Sequence, residues 1–379
     1  MRVFIFLAIL FLLLGILGLI YLVSKIKKAV RYFGSQFPKN RQRLMILGIF
    51  AIILLPAFFS FLKWFIVFMH LIVFLALTDL AVFTAKKLRA KTDMRFPGWL
   101  KSAWMKGAYR AGAFALLLTV IVSCYAKYNM YHVVRTDYEI NVNKSLSEDI
   151  TLVMIADLHY GLSLDAAQLQ KVADAIEKES PDAVILCGDL VDESTTSEGM
   201  KEAFSILGGI ESRFGVYFVY GNHDRSRYQP DAHFSEMQLA ETLTDSRITI
   251  LQDHAVTFND DILLVGREDR SDPSRKSIDE LLDGYDTTKT IIVADHQPSE
   301  YDHLQKAGCD LVVSGHTHGG QTFPLGFFND LIRFSDLNYG YKKQGHLNAV
   351  VTSGIAGWGY DLRTEHHSEY VVIHINGNQ

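Results

Sequence analysis

The sequence predicts a layered α/β domain behind a helical membrane anchor. Three observations predict it. Residues 1–135 are apolar and basic. Residues 136–379 alternate short β-branched runs with helical patterns. Five of those runs end in polar motifs rich in Asp, Asn and His.

The front half contains continuous apolar runs at 3–23, 44–62, 64–84 and 108–126, each of a length suited to ~30 Å of hydrocarbon. The first is preceded only by Arg2 and followed by no small-residue cleavage site, so it reads as an uncleaved span. Little more than Lys63 separates the second from the third, which predicts a tight helical hairpin. Basic residues crowd the segments 24–43 and 85–110, whereas the turn between the second and third spans has Lys63 alone. Basic loops stay in the cytoplasm, so four spans leave residues 136–379 outside it, on an integral protein of the cell membrane. His70 and Asp79 lie within the third run. Ionisable groups there snorkel or pair near helix ends, and Asp79 shares a helix face with Lys86. The front half reads as an anchor over residues 1–135.

Charge separates the two halves. Residues 1–135 carry 19 Lys and Arg against two acids; residues 136–379 carry 18 against 40. An acidic domain is a poor docking surface for nucleic acid, whose phosphates attract Lys and Arg. Cys124, Cys187 and Cys309 have neither zinc-knuckle nor disulfide spacing and read as small buried hydrophobes.

In the back half, strand-like runs fall at 138–142, 151–156, 183–187, 216–220, 290–294 and 310–314, with helical patterns near 165–179, 198–209, 235–244, 277–282 and 299–307. Ligands gather at the C-terminal ends of strands in such folds. The runs lead into Asp157-Leu158-His159, Gly188-Asp189-Leu190-Val191-Asp192, Gly221-Asn222-His223-Asp224, Asp295-His296 and Gly315-His316-Thr317-His318-Gly319-Gly320-Gln321. Mixed imidazole and carboxylate donors suit Mn²⁺, Fe²⁺ or Zn²⁺. Phosphate-ester hydrolysis benefits from two such ions ~3.5–4 Å apart. Surrounding both ions takes one bridging carboxylate and further donors from several strand ends. Asp157, His159, Asp189, Asn222, His296, His316 and His318 supply that inventory. Glycines before Asp189, Asn222 and His316 are expected to let the chain turn tightly there.

This motif series resembles the calcineurin-like metallophosphoesterase superfamily over roughly residues 138–379. Gly319-Gly320-Gln321, Ser353-Gly354 and Arg363 look like its membrane-associated bacterial branch, which includes YkuE-type phosphodiesterases and hydrolases of UDP-diacylglucosamine. The resemblance implies a four-layer α-β-β-α sandwich with a dimetal site at one edge. Carried over by position, Asp157, His159, Asp189 and His318 would hold one metal. Asp189 would bridge to a second, completed by Asn222, His296 and His316. His223 would protonate the leaving oxygen as general acid, and Asp224 would orient His223. The two metals would convert a shared water into attacking hydroxide.

The resemblance implies a phosphoester substrate, expected to be a phosphodiester, pyrophosphate or lipid-linked phosphate; the motifs do not identify it, and the anchor favours lipid or envelope substrates by proximity alone. Phe323–Phe334 is apolar and follows the last ligands, so it reads as packed core or as a lipid-facing lip. Arg267, Arg270 and Arg363 are candidates for a second phosphate, or are surface charges and internal ion pairs. A metal-binding scaffold or sensor with little turnover is the rival reading; the His223–Asp224 pair argues against it.

Overall fold

The computed structural model describes residues 2–91, 97–98, 102–229 and 231–377, with the backbone alone for residues 2–10. The chain divides into two compact units, Met1–Tyr125 and Ala126–Gln379. The division falls inside a helix, ahead of the boundary expected after residue 135.

The first unit is helical: α1 (Arg2–Phe33), α2 (Lys39–Leu54), α3 (Phe61–Lys91), α4 (Ala103–Ala111) and the start of α5 (Ala113–Tyr131). Among the described residues, three helical stretches are long and apolar enough to cross a membrane: Lys39–Phe58, Phe61–Lys91 and Ala113–Tyr131. The expected run 3–23 lies on α1, and its first side chains fall outside the described residues. Pro56 sets the hairpin turn: it opens a 3-10 turn over Leu55–Phe58, whose Pro56 carbonyl accepts from the amides of Phe59 and Ser60. Lys63 therefore lies inside α3 rather than at the turn. Gly112, at φ 72°, breaks α4 from α5 and moves the last span toward the C-terminus of its expected position. Leu22, Ile26 and Val30, one helical face of α1, are buried in a cluster with Phe68 and Leu75 of α3. The Asp79 carboxylate takes Lys25 at 2.6 Å and the hydroxyls of Tyr21 and Tyr109 at 2.8 and 2.7 Å, so Lys25 rather than Lys86 is its cation. His70 Nδ1 lies 2.8 Å from the Ile66 carbonyl of its own helix.

The second unit contains two six-stranded mixed sheets. The first orders β1 (Val133–Asn141), β12 (Ser368–Asn376), β2 (Ile150–Ile155), β3 (Ala183–Cys187), β4 (Val216–Val219) and β5 (Ile248–Ile250). The second orders β10 (Gly340–Gln344), β11 (Leu347–Val351), β9 (Leu311–Ser314), β8 (Thr290–Ala294), β7 (Ile262–Gly266) and β6 (His254–Phe258). β2, β3 and β4 run parallel to one another, as do β7, β8 and β9.

Burial on both faces explains why these strands read as unbroken apolar runs. Along β2, Val153 and Ile155 pack with helices α6 (Ala166–Glu177), α7 (Ser197–Leu207) and α8 (Glu236–Asp245). The intervening Leu152 and Met154 join a cluster that draws on both sheets, with Leu264, Ile292 and Val313. On the second sheet Leu263, Val265 and Val293 point the other way, into a cluster with α9 (Ile278–Leu282) and α10 (Tyr301–Lys306). Caps fix where the helices start. Asp165, Ser235 and Ser277 each form a reciprocal capping box with the Gln or Glu three residues on.

Candidate metal centre

β2, β3, β4, β8 and β9 end two or three residues before Asp157, Asp189, Asn222, His296 and His316 respectively. The backbone bends sharply there. Asp157, His159, Asp189, His316 and His318 all have positive φ, between 41° and 71°. Non-glycine residues avoid that region, and where it recurs the surrounding structure enforces it. The glycines act in two ways. Gly188 has φ 80° and supplies a turn, as expected. Gly221 and Gly315 supply space instead. A Cβ on Gly221 would meet Asp189 Oδ1 at 2.2 Å, and one on Gly315 would meet Asp157 Oδ2 at 2.5 Å.

The ligating atoms form two groups of the kind that can hold a cation: Asp157, His159 and His318, and Asp189, His296 and His316. Asp189 Oδ2 lies 3.1 Å from His296 Nε2 and 3.9 Å from His159 Nε2, so its carboxylate reaches both groups. His318 Nε2 lies 3.5 Å from Asp157 Oδ1. Among the buried atoms without a hydrogen-bond partner, three belong to the candidate ligands: His159 Nε2, His296 Nε2 and Asn222 Oδ1. Buried polar atoms are nearly always partnered, and lone pairs left converging are what a cation requires. The donor set fits divalent transition metals.

The far side of each ring is tied down. His159 Nδ1 lies 3.1 Å from Asp192 Oδ2, and His296 Nδ1 lies 2.9 Å from the Cys187 carbonyl. Such contacts fix ring orientation and leave Nε2 for the ion. Electrostatics follow from burial and close charges. Burial pushes Asp157 up to about 6, with His296 opposing and Asp189 adding. Burial would also raise Asp189, but His296 and His159 hold its carboxyl well below the usual range. Burial, then the charge of His296, depress His316 to about 4. Asp192 is held at about 2, its burial outweighed by His159 and Ser194.

The expectation that Asp224 orients His223 is corrected by the structure. The Asp224 carboxylate is fully buried and accepts the amides of Asp189, Leu190 and Gly221 at 2.8, 2.9 and 2.6 Å. It clamps the β3 and β4 loops together and has no bond to the His223 ring. Glu193 takes that place: its carboxylate oxygens lie 3.0 and 3.1 Å from His223 Nδ1. Burial would lower the proton affinity of His223, but the bond to Glu193 and the charges of Asp189, Glu193 and Asp192 together outweigh it and raise it. The signal was available, since Glu193 directly follows the Gly188–Asp192 motif. The rings of Tyr228 and Trp358 stand 5.0 and 5.4 Å from that of His223, two rim aromatics that no motif marks.

Two arginines proposed for phosphate are internal. Arg267 is buried against Asp295 and Glu300 at 3.3 and 2.7 Å. Arg363 is fully buried, and its guanidinium donates to the carbonyls of His318 and Ala356, which braces the last ligand loop. Arg270 is exposed. The segment after the ligands forms α11 (Leu325–Ile332), which is largely exposed rather than packed core.

Residues 150–320 match the family described as calcineurin-like phosphoesterase. The chain is similar to a transmembrane protein with metallophosphoesterase domain from Danio rerio, 30% identical over 70% of this chain and 62% of that protein. It is 29% identical to an uncharacterized metallophosphoesterase of Campylobacter jejuni, over 62% of this chain and 61% of the other. A UDP-2,3-diacylglucosamine pyrophosphatase of Chlamydia trachomatis is 26% identical over 64% of this chain and 89% of its own length. The chain spans less than two thirds of the first two relatives.

Proposed function

From the premise that the chain belongs to the calcineurin-like metallophosphoesterase family, we propose that it is a membrane-anchored, two-metal hydrolase of phosphoesters. The observation that carries the reading is the pair of buried atoms without a hydrogen bond, His159 Nε2 and His296 Nε2, 3.9 and 3.1 Å from Asp189 Oδ2 in two ligand groups that also take in Asp157, His316 and His318. One ion would be held by Asp157, His159, Asp189 and His318, the other by Asp189, Asn222, His296 and His316. Such ions, when bound, lower the pKa of water and draw charge from phosphoryl oxygens.

The remaining work falls to the chain's own side chains. With Nδ1 held by Glu193, the opposite nitrogen of His223 is the one free to pass a proton to the leaving oxygen. Asp224 keeps the bridging carboxylate in place through the amides it binds. Tyr228 and Trp358 limit water beside the proton donor. A lipid-linked phosphoester or pyrophosphate is the substrate class we favour, because the chain carries membrane-length helices and resembles a pyrophosphatase named for a diacylated sugar nucleotide. The basic loops support an extracytoplasmic site at the cell membrane for this activity.

The test is metal content and turnover of the purified full chain. Asp189→Asn should lose most of both, read by elemental analysis and hydrolysis of bis-nitrophenyl phosphate with Mn²⁺. Two metals and full turnover in that variant would refute the assignment. A wild-type chain that binds two metals yet turns over no phosphomonoester, diester or pyrophosphate would favour the scaffold reading.

A further inference from the structure

We propose that α11 and the residues after it form a lip that dips into the surface of the lipid bilayer. The observation is an unusual exposure. Phe323, Phe327, Phe328, Leu331, Ile332 and Phe334 are all exposed, Phe327 and Leu331 by 57% and 65%. At ~100° per residue, Phe327, Leu331, Phe328 and Ile332 fall within one arc of about 140° on the helix, and Asn329 and Asp330 fall outside it. A contiguous apolar face of this kind on a water-facing domain marks an interaction surface. Aromatic and aliphatic side chains on one face of a short helix suit the boundary between headgroups and acyl chains.

Three observations choose the bilayer as occupant. Among the described residues, three helical stretches are of membrane-crossing length, which would keep a lipid surface at hand. The last turns of the third, from Ala126, belong to the catalytic unit, where they bond to the loops that carry α11. The Arg363 amide donates to the Ala126 carbonyl at 3.0 Å, the Arg363 guanidinium to His318 at 3.0 Å, and the Gln321 amide to Tyr360 at 2.9 Å. The span's end and the root of α11 are thus two sides of one loop cluster. Finally, the lip adjoins the ligands: the Phe334 ring stacks on His316 at 6.4 Å, and Gly320 and Gly326 pack so closely that a Cβ on Gly320 would meet the Gly326 nitrogen at 2.2 Å. A lip seated in the headgroup layer brings the site's mouth to the level where lipid phosphates lie.

The experiment reads depth directly and does not depend on the proposed activity. The full chain carries Cys124→Ser and Leu331→Cys, with Cys187 and Cys309 already buried. It is nitroxide-labelled and reconstituted in phosphatidylethanolamine–phosphatidylglycerol vesicles. Power saturation with oxygen and with a water-soluble nickel chelate should show the label favouring oxygen. A control label at the exposed Glu241 of α8 should favour nickel. Equal accessibility at the two positions overturns the proposal, and so does a position-331 label shielded from both reagents, which would mean a protein partner or a second copy. In a second arm, Phe327→Asp with Leu331→Asp should lower hydrolysis of a vesicle-embedded phosphoester at least tenfold. It should leave bis-nitrophenyl phosphate hydrolysis unchanged, which also shows the variant folded. Absence of hydrolysis of either ester by the wild type would sink the proposed function and leave the depth measurement to stand on its own.

Discussion

Glu193 and His223 make the sharpest case at the level of single residues. A general acid must hold its proton until the leaving oxygen needs it, and the Glu193 carboxylate stabilises the protonated ring. His223→Ala should cost ~10²–10⁴-fold in turnover of poor leaving groups while leaving metal content near wild type. The deficit should shrink for a nitrophenyl ester, whose leaving group needs little protonation. Glu193→Gln should behave as a milder copy of the same defect, moving the alkaline limb of the pH–rate profile to lower pH and keeping both metals. If good and poor leaving groups suffered equally in His223→Ala, the proton-donor role would be wrong. Gly221→Ala probes space rather than chemistry. Its Cβ would collide with Asp189, so metal affinity should fall although the backbone conformation at 221 suits alanine.

The loops after β4 and β7 are stapled by an ion pair buried on both sides. Arg225 forks onto Glu268 at 2.6 and 2.7 Å, their side chains 3% and 2% exposed, and the guanidinium lies 3.8 Å over the Tyr220 ring. Arg225→Leu strands the Glu268 charge and should cost about 3–5 kcal/mol, seen as a lowered midpoint in thermal or urea unfolding of the full chain. A loss under about 1 kcal/mol would mean the loops relax and water reaches Glu268. Elements of this kind divide into those the sequence displays and those it conceals. β2, β3, β4, β8 and β9 were legible because apolar runs stop at polar motifs. β7, Ile262–Gly266, is just as apolar but ends in no such motif, and β12 lies far along the chain from β2, its antiparallel neighbour. Neither is announced by local pattern. α11 was visible as an apolar segment, but its outward face depends on what packs around it. Glu193 shows the same limit at smaller scale, because its partner is chosen by where two strand ends meet.

For the whole molecule, the arrangement of charge makes the decisive prediction. The segments 24–43 and 85–110 are strongly basic and should remain cytoplasmic, which sends the catalytic unit across the membrane. Fused to the C-terminus of the full chain, alkaline phosphatase should be active and green fluorescent protein dark. The opposite pattern would place the site inside and remove the main support for an envelope substrate. The family and the candidate ligands were readable from the sequence, since each candidate follows a recognisable strand end. The division between units was less so. Residues 126–131 look like the tail of a span, yet they pack as part of the catalytic unit.

That last arrangement bears on how the second unit could ever be released. Met130 is fully buried, close enough to Gly357 that a Cβ there would lie 2.4 Å from its methyl, and the Asn129 side chain bonds to Arg363, His366 and His367. A protease that clipped just before β1 would pull these residues away from the loop that Arg363 braces, and the liberated fragment would lose the shape of its last ligand loop. A soluble fragment that keeps its site is therefore expected to need residues 126–131, the end of α5, and one trimmed to start at β1 should show a lowered unfolding midpoint.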